Sequence, residues 1–165
     1  MYIFICENSP NGILTGVYDA WSLKIEKNCS HADIFLLSEQ PDNYELFNEF
    51  YTVNPSPIKT EKVASTLRRK LGQDFYDKIL SAILAVELSS KKKMDKANAV
   101  YQTIVTALHS PHGAKVLEHL GNPYIYRVFE LSRATASEAH HLKGFLRFSE
   151  LKNGILFSRI HPKNN

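Results

Sequence analysis

The sequence has few of the features that identify secreted or membrane-spanning proteins. Its two cysteines, Cys6 and Cys29, are too few for a disulfide framework and have the spacing of neither a redox motif nor a zinc knuckle. Every apolar run is shorter than a membrane span, and the opening "MYIFICENSP" lacks the basic segment of a signal peptide. We therefore predict a cytoplasmic protein with buried, reduced thiols and no membrane partner.

The motifs that identify common enzyme classes are also missing from the sequence. It contains no Walker loop, no glycine-rich dinucleotide motif, no nucleophile elbow and no zinc-deaminase signature. It has no cysteine triad for an iron–sulfur cluster either. Spacing alone therefore identifies no reaction, and we predict no cofactor and no metal ion.

Charge is distributed unevenly along the chain, although the net charge is only +3. Residues 1–56 contain two basic and eight acidic side chains, a net charge of −6. Residues 57–96 contain ten basic and five acidic side chains (net +5), and residues 97–165 contain eight basic and four acidic side chains (net +4). A cationic surface of this kind attracts phosphates. We expect a single domain over residues 1–165, subdivided into an acidic α/β part (1–56) and a basic helical part plus a hairpin (57–165).

Hydrophobic periodicity and turn signals predict an α+β fold. The runs "YIFIC", "ADIFLLSE" and "ELFNEFYTV" are predicted strands, and a helix with a buried stripe of Ile13, Val17, Trp21 and Ile25 follows the first of them. Several central helices begin after Pro55. The segment "KGFLRFSELKNGILFSRIHP" predicts a C-terminal β-hairpin around "KNG". The predicted order is thus strand-helix-strand-strand, central helices and a C-terminal hairpin.

A polar stripe lies on the helix predicted to begin at Asn122 and to break at Gly144. Its members are Glu130, Arg133, Ser137, His140 and His141. They recur at steps of three and four residues, so that they are neighbours on one face of the helix, and Glu130 is able to form an ion pair with Arg133. The simplest interpretation is a solvated helix face. A second is a nucleic-acid site, in which the imidazoles orient a base or backbone group and phosphates are contacted by Arg127, Arg133, Lys143 and Arg147.

A third interpretation of the stripe is an acid–base or metal site. Glu130 or Glu138 would then exchange protons with His140 or His141. Glu138 and His141 also form one Glu-x-x-His pair, but the sequence lacks the second pair that a di-iron bundle requires.

Two weaker candidates lie earlier in the chain. Arg68 and Arg69 end a predicted helix, where they either stabilise its terminus or contact phosphate. Trp21 is predicted to be a core residue, whereas Tyr18 and Asp19 face elsewhere and are candidates to line a cleft.

Four segments together resemble a bacterial family of unknown function whose members are described as DNA metabolism or DNA repair proteins: "YIFICENSPNGILTGVYDAW", "KVASTLRRKLG", "VLEHLGNPYIYRVFELSR" and "EAHHLKGFLRFSELKNGILFSRIHPKNN". The resemblance covers nearly the whole chain. The residues that match the motifs of the family are Asp19, Arg68, Arg69, Arg127, Glu130, Arg133, Glu138, His140, His141, Gly144 and Arg147.

The resemblance implies a context rather than a mechanism. It implies a radical SAM protein as a partner and, in some members, a fused uracil-DNA glycosylase-like domain. The family continues beyond "PKNN", so that this chain is expected to be the N-terminal portion of a longer protein. The resemblance carries no established catalytic residue.

Composition, stripe and resemblance together favour an accessory DNA repair or DNA metabolism protein. It would bind DNA or a damaged nucleotide and work with the radical SAM partner. One alternative is a nuclease- or glycosylase-like enzyme that uses a Glu/His pair. Another is a protein-interaction module that binds no nucleic acid.

Overall fold

A computed structural model describes residues 1–41, 43–86, 94–145, 149–150 and 156–157. Its strands are β1 (Tyr2–Ile5), β2 (Ile34–Leu37), β3 (Glu49–Thr52), β4 (Ser149–Glu150) and β5 (Leu156–Phe157). Its α-helices are α1 (Pro10–Lys27), α2 (Pro57–Leu71), α3 (Gln73–Leu84), α4 (Lys96–His109) and α5 (Pro123–Phe145). Two 3-10 helices cover His31–Asp33 and Gly113–Glu118.

The N-terminal third forms a parallel sheet with the strand order β2-β1-β3. Tyr2 is in register with Ile34 on one side and with Glu49 on the other. Helix α1 connects β1 to β2, and it starts where the Ser9 side chain accepts a hydrogen bond from the Gly12 N–H at 3.0 Å. The start of α1 therefore lies at the carboxyl end of β1.

The remaining helices build the larger part of the core. Helix α5 packs against α3 and α4, and α2 packs against α1 and α3. The largest fully buried side chains come from both the sheet and the helices, among them Tyr101, Ile13, Leu14, Ile34, Leu36, Leu67, Ile79, Ile83, Ile104 and Ile125. In the predicted stripe of α1, Ile13 and Val17 are buried, whereas Ile25 lies near the end of the helix and is 69% exposed.

One carboxylate connects the sheet to the helical part. Asp95 Oδ1 accepts a hydrogen bond from the Ala97 N–H at 2.7 Å and so caps the start of α4. Its Oδ2 accepts the backbone N–H and the hydroxyl of Ser38, just after β2, at 2.9 and 3.0 Å. The end of β2 and the start of α4 are thereby fixed to each other.

The predicted α+β class is wrong, since the protein is mostly helical, with 65% helix and 9% strand. The first third does contain β1, α1, β2 and β3 in the predicted order, but each of its strands has only four residues. The run that begins at Glu45 contributes a strand only from Glu49, because a turn precedes it. Strand content is correspondingly small.

The predicted C-terminal hairpin of two alternating strands is not present in the part of the chain that the structure describes. Helix α5 ends at Phe145, one residue beyond the predicted break at Gly144, so that residues 143–145, predicted as the start of a strand, belong to the helix. What the structure describes beyond it is one antiparallel pairing of the two-residue strands β4 and β5. The other residues of the predicted hairpin lie outside the described residues.

The predicted start of α5 is confirmed. The Asn122 side chain accepts the Tyr124 N–H at 2.9 Å, and Pro123 occupies the first helical position. A search of the described helices finds none with the length and apolar character of a membrane span.

Candidate nucleic-acid interface

A buried arginine lies one turn before the stripe predicted on α5. Arg127 is only 6% exposed. Its Nε donates a hydrogen bond to the Met94 carbonyl oxygen at 3.2 Å, and its Nη1 lies 3.4 Å from Glu130 Oε2. The bond to Met94 connects α5 to the segment that precedes α4, whereas the pair with Glu130 lies within α5.

The stripe residues lie further along α5. Glu130 pairs with Arg127 and not with Arg133, contrary to the predicted ion pair, while Arg133 and His140 are exposed and Glu138 is half-buried. His141 and Lys143 belong to α5, but their side chains lie outside the described atoms, and Arg147 lies outside the described residues. Their role in phosphate contact or proton transfer stays a prediction.

The basic end of α2 is where the sequence predicts it. Arg68 pairs with Glu61 at 3.2 Å, and its guanidinium lies 4.3 Å from the centre of the Tyr76 ring. Arg69 is exposed in the same last turn. Both therefore suit the negative end of the helix dipole.

A groove with a volume of about 540 Å³ lies between α1 and α2, and α4 also lines it. We call it the α1–α2 groove. Its apolar lining comes mainly from Val17, Val63, Leu67, Ile104 and Leu108. Two aromatic side chains of α1, two lysines of α2 and three hydroxyl groups complete it: Tyr18, Trp21, Lys62, Lys70, Ser22, Ser65 and Thr66.

Cations surround the aromatic wall at Tyr18. The ammonium groups of Lys62 and Lys59 lie 5.5 and 5.7 Å from the centre of the Tyr18 ring, within cation–π range. Lys59 also pairs with Asp19 at 2.6 Å. Lys62 is exposed and lines the groove, so that its charge is available to a ligand.

A smaller cleft of about 250 Å³ lies on another side of α1, and its lining includes Asp19, Glu26, Tyr51 and Lys59. The prediction that Tyr18 and Asp19 line a cleft is therefore confirmed, although they line two different ones. The Asp19–Lys59 ion pair belongs to the smaller cleft.

Two imidazoles pack against Trp21. The ring centres of Trp21 and His31 are 4.5 Å apart, and those of Trp21 and His109 are 6.0 Å apart with an interplanar angle of 18°. Trp21 is half-buried, so that the predicted core role is only partly right: the indole also lines the groove.

Hydrogen bonds hold both imidazoles in place. His31 Nδ1 lies 2.7 Å from the hydroxyl oxygen of Tyr101, which is fully buried, and His109 Nδ1 lies 2.8 Å from the Val105 carbonyl oxygen. Partial burial, followed by the charges of His109 and Lys24, lowers the pKa of His31 below its usual value. At neutral pH His31 is therefore an uncharged ring.

The cysteines have no visible role in the groove. Cys6 is buried beneath α1, and its burial raises the pKa of the thiol to about 12, so that the thiolate is not populated at neutral pH. Within the described residues no group of three or more His, Cys, Asp or Glu side chains is close enough to hold a metal ion.

The groove was missed by the sequence analysis except for Tyr18. Tyr18, Trp21 and Ile25 recur at steps of three and four residues on α1 and all line the groove. Ile25 is exposed near the end of the helix, so that this row of side chains extends from the core to the surface. Lys62 and Lys70 stand eight residues apart on α2 and share its groove side. Nothing in the sequence shows that these two rows face each other.

Comparison with known families concerns the second part of the chain. Residues 94–165 match a domain of unknown function, DUF4130. A domain-of-unknown-function family is therefore supported for that region, which includes α4 and α5. The DUF4130 match includes Ile104 and Leu108 of the groove but not its α1 and α2 walls. No curated protein and no solved structure matches the chain.

Proposed function

We propose that the protein binds single-stranded DNA in the α1–α2 groove. The observation that carries this proposal is the combination of Tyr18 and Trp21 on one wall with Lys62 and Lys70 on the other. Proteins that bind single strands combine these two elements, since lysines neutralise the backbone and aromatic rings stack on the bases. The groove volume of about 540 Å³ is within the range of sites that hold a small ligand or part of a larger one.

Charge supports the same assignment. Lys62 and Lys70 are both exposed, whereas Lys59 and Arg68 already have carboxylate partners. Residues 57–165 have a net charge of +9, from 18 basic and nine acidic side chains. A phosphate backbone is attracted to such a surface and releases its counterions on binding.

The resemblance noted in the sequence supplies the context of the proposal. It supports a DNA repair or DNA metabolism protein in the bacterial cytoplasm that works with a radical SAM partner, in some members with a uracil-DNA glycosylase-like domain. In this role the protein holds a DNA strand and presents it to the partner enzyme. Phosphate contacts by Arg133, Lys143 and Arg147 on and after α5 are a separate prediction and are not needed for the groove.

A titration with a fluorescent ten-residue oligothymidylate at low salt tests the proposal. We expect Lys62→Ala together with Lys70→Ala to weaken binding and to reduce the slope of log affinity against log salt by about 0.7 for each phosphate that a lysine no longer neutralises. Lys78→Ala is the matched control, because Lys78 is an exposed lysine of α3 that does not line the groove. It should change neither the affinity nor the slope.

The proposal fails if the wild-type chain does not bind the oligonucleotide at low salt. It also fails if the double groove variant and Lys78→Ala change binding to the same extent. Circular dichroism of each variant checks that the helices are intact.

A further inference from the structure

Trp21 is the only tryptophan of the chain, and it lies between the groove and the two imidazoles. His109 is nearly parallel to the indole, while His31 is tilted against it at 57°. The two imidazoles also contact each other, with ring centres 5.5 Å apart. Trp21 therefore contacts rings on its protein side as well as lining the groove.

The support of this indole extends into the core. His31 is bonded to the hydroxyl of Tyr101, and the Gln102 side chain donates to the His31 carbonyl oxygen at 3.1 Å. Tyr101 is fully buried in α4. Because each ring in this series is fixed by a bonded or buried neighbour, the indole has little freedom to rotate away from the groove.

We propose that the α1–α2 groove accepts one unstacked nucleobase against Trp21, with His31 and His109 as positioning residues that fix the indole ring. This inference rests on the proposed function and specifies which part of the strand enters the groove. A base has apolar faces that suit both the indole and the aliphatic lining. A phosphate in the same place would lose its hydration without sufficient partners, so that it belongs with the lysines.

The hydroxyl groups of the groove fit a base for a further reason. Ser22, Ser65 and Thr66 line it, and each hydroxyl donates its proton to a backbone carbonyl oxygen of its own helix, so that its oxygen remains able to accept a hydrogen bond from a ligand. Every base has an N–H donor on its edge that suits such acceptors, whereas the sugar–phosphate backbone has mainly acceptors. This lining therefore predicts tolerance of several bases, with stacking as the main contribution to affinity.

Two probes of equal charge separate base stacking from backbone attraction: a ten-residue oligothymidylate and a ten-residue abasic oligonucleotide of the same length. We expect the oligothymidylate to bind about tenfold more tightly and to quench the emission of Trp21, whereas the abasic strand binds without quenching. Equal affinities, or equal emission with both strands, would overturn the inference. If neither strand binds, the proposed function itself is wrong.

Substitutions at His109 test the positioning role. We expect His109→Ala to reduce the affinity ratio between the two strands, and His109→Phe, which keeps a ring beside the indole, to restore most of it. Tyr126→Leu is the control, because Tyr126 is an aromatic residue of α5 that is 48% exposed and does not line the groove. If His109→Ala lowers only the thermal stability and leaves the ratio unchanged, the positioning role is wrong.

Discussion

The α1–α2 groove and the polar stripe of α5 show two different ways in which charged residues are used. The groove is built from two helices and α4, and its lysines lie opposite aromatic rings. The stripe belongs to one helix, and its first residue, Glu130, bonds to the buried Arg127 one turn earlier. A row of charges on a single helix indicates which face is polar, but the concave shape of a binding site requires the packing of several elements.

Arg127 shows most clearly that a charged residue in the sequence need not belong to a binding surface. In the sequence it is a candidate for phosphate contact, yet in the structure its buried guanidinium bonds the Met94 carbonyl oxygen and the half-buried carboxylate of Glu130. Lys96 shows the same behaviour, because its buried ammonium donates to the carbonyl oxygens of Ile83 and Ala85 at 2.9 Å each. Burial lowers the pKa of Lys96, although the nearby carboxylate of Asp95 opposes this effect.

The largest effect that we expect from this comparison is on stability. Arg127→Ala should reduce the free energy of unfolding by about 3 kcal/mol, because the substitution removes a buried charged side chain together with its hydrogen bonds. Arg133→Ala, on the exposed face of the same helix, should change it by less than about 0.5 kcal/mol. Urea denaturation followed by circular dichroism measures both, and similar values for the two variants would contradict the internal role of Arg127.

We expect an intermediate effect on the salt dependence of DNA binding, which distinguishes the α1–α2 groove from the polar stripe of α5. We expect Lys62→Ala to reduce the salt slope of oligothymidylate binding by about 0.7, and Arg133→Ala to reduce it by much less. The measurement is the same titration at four salt concentrations. A larger change for Arg133→Ala would move the binding face from the groove to α5 and would favour the phosphate contacts predicted from the sequence.

The smallest effect concerns pH. The pKa of His31 is lower in the folded protein than its ordinary value of 6.5, so that the unfolded chain binds more protons at mildly acidic pH. Stability is therefore fully present above about pH 6.5 and decreases as the pH falls below it. His31→Gln, which keeps a polar group near Tyr101, should make the unfolding midpoint less dependent on pH between 7 and 5. An unchanged pH dependence would show that His31 does not contribute.

The starts of α1 and α5 could be predicted because their signals are local. Ser9 and Pro10 determine where α1 begins, and Asn122 and Pro123 do the same for α5. The balance between helix and strand could not be predicted, because the strands end after four residues and residues 143–145, predicted as the start of a strand, belong to α5. Alternating apolar residues near a glycine fit both a strand and the end of a helix, and only the packing of the chain decides between them.

The candidate site was predictable only in part for a related reason. Tyr18 could be assigned to a cleft because it lies off the apolar stripe of α1. Lys62 and Lys70 could not be assigned to a cleft, since their role as groove residues depends on which helix lies opposite them. Arg127 was a misleading candidate, because a guanidinium in a polar row gives no indication that its hydrogen-bond partners are internal.

The Asp95 carboxylate has a consequence for where the chain can be divided. The DUF4130 match begins at residue 94, directly before this carboxylate, whose other partners belong to Ser38 after β2. A fragment that starts at residue 94 would keep the helix cap but would be without the sheet that it anchors. The family match therefore begins between residues that are bonded to each other, and we expect a fragment that includes both Ser38 and Asp95 to be more stable than one that begins at residue 94.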